Sequence, residues 1–186
     1  MELKTQDVPK SNQTTLGLYV TPREAYAMSQ ADPKGVTILD VRSFEEYVFV
    51  GHPETAKNVP LAFLKYERPG AGAAPAAQAP GPLPAGFKIE PNGEFIATVK
   101  SVCGPDDKIL VLCGSGGRAA RAVNMLAKAG FRNVFNIVHG FEGEMVSDRA
   151  SPDFGKSKPN GWKTVGVPWG RNLNPDLLWE NAKQSD

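Results

Sequence analysis

A chain of 186 residues with 41% hydrophobic and 22% charged content is long enough for one domain with a substantial core, and its net charge of +1 carries no polyanion-binding signal. No apolar run approaches the ~20 residues that span a bilayer as a helix, and the first residues lack the basic-then-apolar pattern of a signal peptide. Neither nucleic acid nor membrane is an expected partner.

Residues 1–16 are polar and without periodicity, an extended or partly ordered N-terminal arm. A short strand is expected over 17–20. Thr21-Pro22-Arg23-Glu24 then supplies an N-cap, a proline at the first helical position and an acid in the first turn. It opens a helix to about Gln30 that turns Ala25, Met28 and Ala31 inward. Residues 36–41 read as an apolar, β-branched strand whose end carries Asp40 and Arg42. Ser43 and Glu46 have capping-box spacing for a short helix over 43–49, and the turn at Gly51-His52-Pro53 leads to a short strand over 58–60.

From Glu67 to Gly86 the composition changes to Pro, Ala and Gly with hardly a charge, and the repeated prolines forbid a helix. Such a connection is either a functional lid or a solvated spacer. A short strand over 87–90 and a helix over 92–102, presenting Phe95, Val99 and Val102, complete the first half of the chain.

The most informative stretch follows. Ile109-Leu110-Val111-Leu112 is an apolar run of strand length that stops at Cys113, and Gly114-Ser115-Gly116-Gly117-Arg118 continues as a glycine-rich loop. Ala119, Ala122, Val123, Leu126 and Ala129 then repeat at helical spacing up to Gly130, a C-terminal helix stop. This order puts Cys113 under a helix N-terminus, with the N–H groups of Gly114, Ser115, Gly116, Gly117 and Arg118 free to curl around its sulfur. Donors and helix dipole that bind an anion also stabilise a thiolate, so the loop reads as nucleophile and anion cradle together. Cys103 stands at the far end of the same strand, more than ~15 Å away, whereas a disulfide needs Cα atoms within about 7 Å. It reads as a small buried residue.

Residues 134–138 form the last core strand and place His139 at its carboxyl end. If the strands are parallel, Asp40, Arg42, Cys113 and His139 share one sheet edge, where open α/β sheets bind ligands. Asp40 and Arg42 either touch the site or form an ion pair that fixes a loop; His139 either takes part or is hydrogen-bonded locally. Trp169, Leu177, Leu178 and Trp179 give the tail enough apolar surface to pack on the domain or on a second subunit. Paired Cys/His metal ligands and a dinucleotide fingerprint are absent, so neither a metal site nor a cofactor is expected.

Cys113-Gly114-Ser115-Gly116-Gly117-Arg118-Ala119 resembles the active loop of the rhodanese family. Ile38-Leu39-Asp40-Val41-Arg42, Glu45-Glu46-Tyr47, the block from Gly51 to Pro60, the block from Phe131 to Phe141, and Gly161-Trp162-Lys163 to Gly166-Val167-Pro168 extend the resemblance over most of the chain. It implies a rhodanese-like α/β domain over 17–169, a parallel five-stranded sheet with helices on both faces, carrying insertions at 67–86 and 143–160 between the arm and a tail at 170–186. It also implies a sulfurtransferase. The Cys113 thiolate takes sulfane sulfur from thiosulfate or a similar small sulfur-containing anion, becomes a persulfide, and passes the sulfur to cyanide or to a protein or small-molecule thiol. Ser115 would hydrogen-bond the persulfide and Arg118 would neutralise the donor's sulfonate end.

The chain departs from the family in three ways. Gly114 stands where a basic residue is common, His139-Gly140 replaces a Gly-Gly pair, and the two insertions lengthen the domain, with 143–160 expected to lie over the pocket as a lid. Two other readings stay open. A cysteine phosphatase needs five residues between Cys and Arg, where this loop has four; a non-enzymatic sulfur carrier or protein-binding module would use the same loop without turnover. The expected compartment is the periplasm if a signal peptide once preceded Met1, and otherwise the cytoplasm.

Overall fold

The computed structural model describes residues 3–67 and 87–179. Strand β6 (Lys108–Leu112) buries Ile109, Leu110, Val111 and Leu112 completely. A strand apolar on both faces needs cover on both, which is the environment of a parallel sheet between helical layers. Strand β2 (Val36–Asp40) pairs with it on one side and β7 (Val134–Ile137) on the other; β1 (Tyr19–Val20) and β3 (Lys57–Asn58) close the edges. The order is β1-β7-β6-β2-β3, with every pair parallel. The carboxyl ends of β2, β6 and β7 therefore lie on one edge, followed in the chain by Arg42, Cys113 and His139.

Helices cover both faces. Helix α1 (Pro22–Ala31), held by reciprocal bonds between Thr21 and Glu24, packs Ala25 with Tyr47, Phe141 and Trp162 against Ile38, Leu110, Leu112 and Ile137. Helices α2 (Phe95–Val102) and α3 (Gly117–Lys128) cover Leu39, Ile109 and Val111 with Phe95, Val99, Ala119, Ala122, Val123 and Leu126. No helix among the described residues is long and apolar enough to cross a membrane.

Several expectations are corrected. Ala31 is exposed; the buried positions of α1 are Pro22, Ala25 and Ser29, one turn apart, while Met28 sits at the margin. In α2 Thr98 is buried beside Phe95 and Val99 while Val102 packs on the core only partly buried, and Asn92 precedes the helix, accepting from Glu94 N–H at 3.0 Å and donating to the Pro60 carbonyl at 2.8 Å. The Ser43–Glu46 box forms, with bonds of 3.1 and 3.3 Å, but the chain then widens into a π-helical turn (Glu46–Val50) instead of an α-helix. That turn drives Tyr47 inward, where its ring stacks on His52 and its hydroxyl donates to the Ala56 carbonyl. The strand expected over 58–60 is displaced to Lys57–Asn58. An unforeseen strand β4 (Ala62–Tyr66) pairs antiparallel with β5 (Phe87–Pro91) as a separate ribbon. The insertion expected over 67–86 lies outside the described residues apart from Glu67. Residues of the arm form two 3₁₀ turns (Thr5–Asp7 and Lys10–Asn12), and Asn12 is buried. Cys103 and Cys113 are both buried free thiols.

Beyond β2, Arg42 and Asp40 pair with no exposed surface on either side chain. Arg42 Nε reaches both carboxylate oxygens at 3.0 and 3.1 Å, Nη2 reaches Oδ2 at 2.6 Å and the Gly51 carbonyl at 2.7 Å, and the guanidinium lies 4.3 Å over the Phe141 ring. Removing one member of such a pair strands the other charge, which costs about 3–5 kcal/mol. Asp40→Ala is expected to lower the melting temperature by about 10 °C or more; a shift of only a degree or two in thermal unfolding would contradict this account.

Candidate active site

Cys113 leaves β6 at the sheet edge, 1% exposed. Its carbonyl accepts from Phe141 N–H at 2.7 Å, and the Gly114 carbonyl accepts from Glu142 N–H at 2.8 Å, so the loop is seamed to the turn after β7. Gly116 N–H donates to Cys113 Sγ at 3.1 Å. To do so Gly116 adopts φ +99°, and a Cβ there would lie 2.2 Å from the Val138 carbonyl oxygen and 2.5 Å from Asn12 Nδ2, which only glycine avoids.

The arm completes the clamp. Asn12 Nδ2 donates to the carbonyls of Ser115 (2.9 Å) and Val138 (2.8 Å), while Asn136 Nδ2 donates to those of Asn12 (2.8 Å) and Gly116 (3.2 Å). Among the described residues nothing accepts from the backbone N–H groups of Gly114, Ser115, Gly117 or Arg118. These donors stand at the start of α3, where the helix dipole is positive. At the far end of α3, Gly130 (φ +101°) closes the helix as expected, with Gly130 N–H to Ala127 and Phe131 N–H to Leu126.

The structure places Arg118 at the loop, but not free. Both of its terminal nitrogens bond Glu46 at 2.6 Å in a fork. Burial works against the Arg118 charge, yet the Glu46 hydrogen bonds and charge outweigh it and push the guanidinium pKa further up. Sequence reasoning missed this pairing because Glu46 had an architectural explanation in the capping box. Its Oε2 in fact serves both the Ser43 N–H and Arg118. Glu142 was also missed. Its Oε1 lies 3.4 Å from the point a Cβ on Gly114 would occupy, and Arg118 Nη2 lies 3.3 Å from that point.

Asp40 and Arg42 are brought to this edge but spend their polar atoms largely on each other. His139 follows β7 and is held by Glu144 Oε1, 3.0 Å from Nδ1, while Glu144 Oε2 pairs with Lys158 at 2.9 Å. Residues 143–160 thus leave from the same edge and double back on themselves through a bridge between Met145 and Ser157. Among the described residues no cluster of His, Cys, Asp and Glu has the arrangement to hold a metal.

The family model for the rhodanese-like domain matches residues 21–144. The chain belongs to the rhodanese-like family. Its match to thiosulfate sulfurtransferase 16, chloroplastic, of Arabidopsis thaliana is 36% identical over 107 residues and takes in 58% of this chain and 72% of that one. With protein HIGH ARSENIC CONTENT 1, mitochondrial, of the same plant it shares 33% over 107 residues, 58% of this chain but only 51% of that relative, about half its length. The crystal structure of Rv0390 from M. tuberculosis superposes with a TM-score of 0.58 at 25% identity, covering 82% of this rhodanese-like chain and 96% of that one.

The Glu46–Arg118 fork has a pH signature. Burial raises the Glu46 pKa, but the Arg118 hydrogen bonds and charge, with the Ser43 N–H, hold it below the ordinary value of 4.5. A depressed carboxylate contributes stability that is complete above that value and disappears as pH falls through the folded-state pKa. Wild type should therefore exceed Glu46→Gln in denaturant midpoint by a constant margin from neutrality to about pH 5, with the margin closing at lower pH. A margin that persists unchanged to the lowest pH at which both fold would contradict the pairing.

Proposed function

We propose that this chain is a sulfurtransferase that carries sulfur on Cys113. The observation that carries the reading is Sγ receiving the Gly116 N–H at 3.1 Å, at the start of α3 and beside four backbone donors that find no acceptor among the described residues. Family membership and the sulfurtransferase named among its relatives support it.

The Cys113 thiolate attacks the outer sulfur of thiosulfate or a similar sulfane donor; the donor S–S bond breaks and its electron pair leaves with sulfite. The new terminal sulfur of the persulfide carries the negative charge into the ring of N–H groups, which covalent capture exploits twice. Cyanide or a thiolate then attacks that terminal sulfur, the Cys113 S–S bond breaks, and the thiolate returns. Ser115 lies within the loop to hydrogen-bond the persulfide. Arg118, forked to Glu46, holds the loop's C-terminal side in place and lends the site its charge only in company with that carboxylate.

A second reading, a non-enzymatic carrier that hands sulfur to a docked protein, has its own support. The β4–β5 ribbon exposes Leu64 (39%), Ile89 (52%) and Tyr66 (60%) on one face. Turnover with small acceptors separates the two.

Intact-mass measurement after thiosulfate exposure tests the assignment. Wild type and Cys103→Ser should gain one sulfur atom and Cys113→Ser none, because a hydroxyl without a base beside it is too weak a nucleophile. Equal gain in Cys113→Ser through Cys103 would overturn it.

A further inference from the structure

Among the described residues the charges that face the Cys113 loop cancel in pairs, with one exception. Asp40 neutralises Arg42, and Glu46 neutralises Arg118. The Glu142 carboxylate has no hydrogen bond or ion pair among the described residues. It is half-buried and cannot drift far, since its own N–H is fixed to the Gly114 carbonyl. The cations nearby are otherwise engaged: Arg118 Nη2 shares the space over Gly114 with Glu142 Oε1, and Arg42 feels the Glu142 charge, but each guanidinium is hydrogen-bonded to its own carboxylate, Glu46 and Asp40. Lys163 reaches the Val50 carbonyl at 3.5 Å and lies 5.0 Å over the Trp169 ring, while Lys158 and His139 are both on Glu144. Gly114 brings no side chain to offset the charge. Standard bond lengths from the Gly114 contact put the Glu142 carboxylate at most about 12 Å from Sγ, close to one Debye length at ordinary ionic strength.

We infer that Glu142 makes the approach to Cys113 charge-selective, and that the thiol it favours as sulfur acceptor is cationic: an aminothiol with its ammonium a few bonds from the sulfur, in preference to a thiol bearing a carboxylate or sulfonate. The acceptor assignment rests on Cys113 as the sulfur carrier. The field at Cys113 does not, because it follows from the unpaired carboxylate alone. In transfer, the aminothiol thiolate attacks the terminal sulfur of the Cys113 persulfide, the Cys113 S–S bond breaks, and a persulfide of the aminothiol leaves with its ammonium still facing Glu142. The same unpaired charge repels a dianionic donor such as thiosulfate.

The test uses the full chain in a Cys103→Ser background. Cys113 is modified with a cationic (trimethylammonium-ethyl) or an anionic (sulfonato-ethyl) methanethiosulfonate, each forming a mixed disulfide and releasing methanesulfinate, and each rate is divided by that reagent's rate with a small neutral thiol. Without Glu142's charge the cation-to-anion ratio should fall by about tenfold at low salt, so Glu142→Gln should lie well below the parent, Glu142→Asp close to it, and the parent ratio should shrink as salt screens the field. In parallel, sulfur transfer from the loaded protein to cysteamine and to 3-mercaptopropionate should show the same loss of preference in Glu142→Gln. A ratio unchanged by Glu142→Gln would overturn the inference. If the reagent ratio moves but neither thiol receives sulfur, the carrier reading of Cys113 fails and the charge selectivity stands.

Discussion

The N–H groups of Phe141 and Glu142 hold the carbonyls of Cys113 and Gly114, and that seam sets the position of everything else at the sheet edge. It demands an approach of two backbones closer than side chains permit. A Cβ on Gly140, which has φ +61°, would lie 2.4 Å from the Cys113 carbonyl oxygen, and one on Gly116 would lie 2.2 Å from that of Val138. Two glycines with left-handed backbone therefore let the loop after β6 and the turn after β7 lock together. Once locked, Gly116 N–H faces Sγ, Glu142 stands over Gly114, and His139 is left at the rim with Glu144.

The seam also explains how the charges are distributed. Fixed loops leave little room for a long side chain to find a partner of its own, so each ion pair at this edge joins residues already placed by backbone contacts. Arg42 and Asp40 flank the end of β2, and Arg118 in the first turn of α3 meets Glu46 in the turn that follows β2. Fully buried as it is, the Asp40–Arg42 pair contributes specificity of loop position more than net stability, because desolvation offsets much of its attraction. The Glu46–Arg118 pair is partly exposed and correspondingly weaker. Its value lies in geometry, since a forked guanidinium restrains the start of the helix that points at Cys113.

Much of this was legible in the residues. Apolar and β-branched runs marked β2 and β6, the segment before His139 marked β7, the Thr21–Glu24 spacing marked α1, and three glycines after Cys113 marked a loop of open backbone angles. The elements that were missed depend on tertiary pairing. β4 opens on the short apolar run Ala62-Phe63-Leu64 but turns to Lys65, and its register is set by β5 across a long connection. Thr98 stands at helical spacing between Phe95 and Val102 on the inward face of α2, but a polar side chain carries no apolar signal for burial. At the site, Asn12 sat in a stretch with no periodicity, although its side chain bridges the Ser115 and Val138 carbonyls. Glu46 and Glu142 carried no spacing signal toward Arg118 or Gly114, because the contacts join positions 72 and 28 residues apart in sequence.

In the proposed cycle sulfur passes through Cys113 rather than merely resting on it. Rapid-quench mass analysis measures this most directly: the persulfide is formed with thiosulfate, excess donor is removed, and its discharge to a thiol acceptor is followed on the millisecond-to-second scale. The persulfide is expected on the peptide containing Cys113 and should discharge at least as fast as steady-state turnover with the same acceptor. A persulfide that persists while turnover proceeds, or turnover that continues in Cys113→Ser, would contradict this cycle.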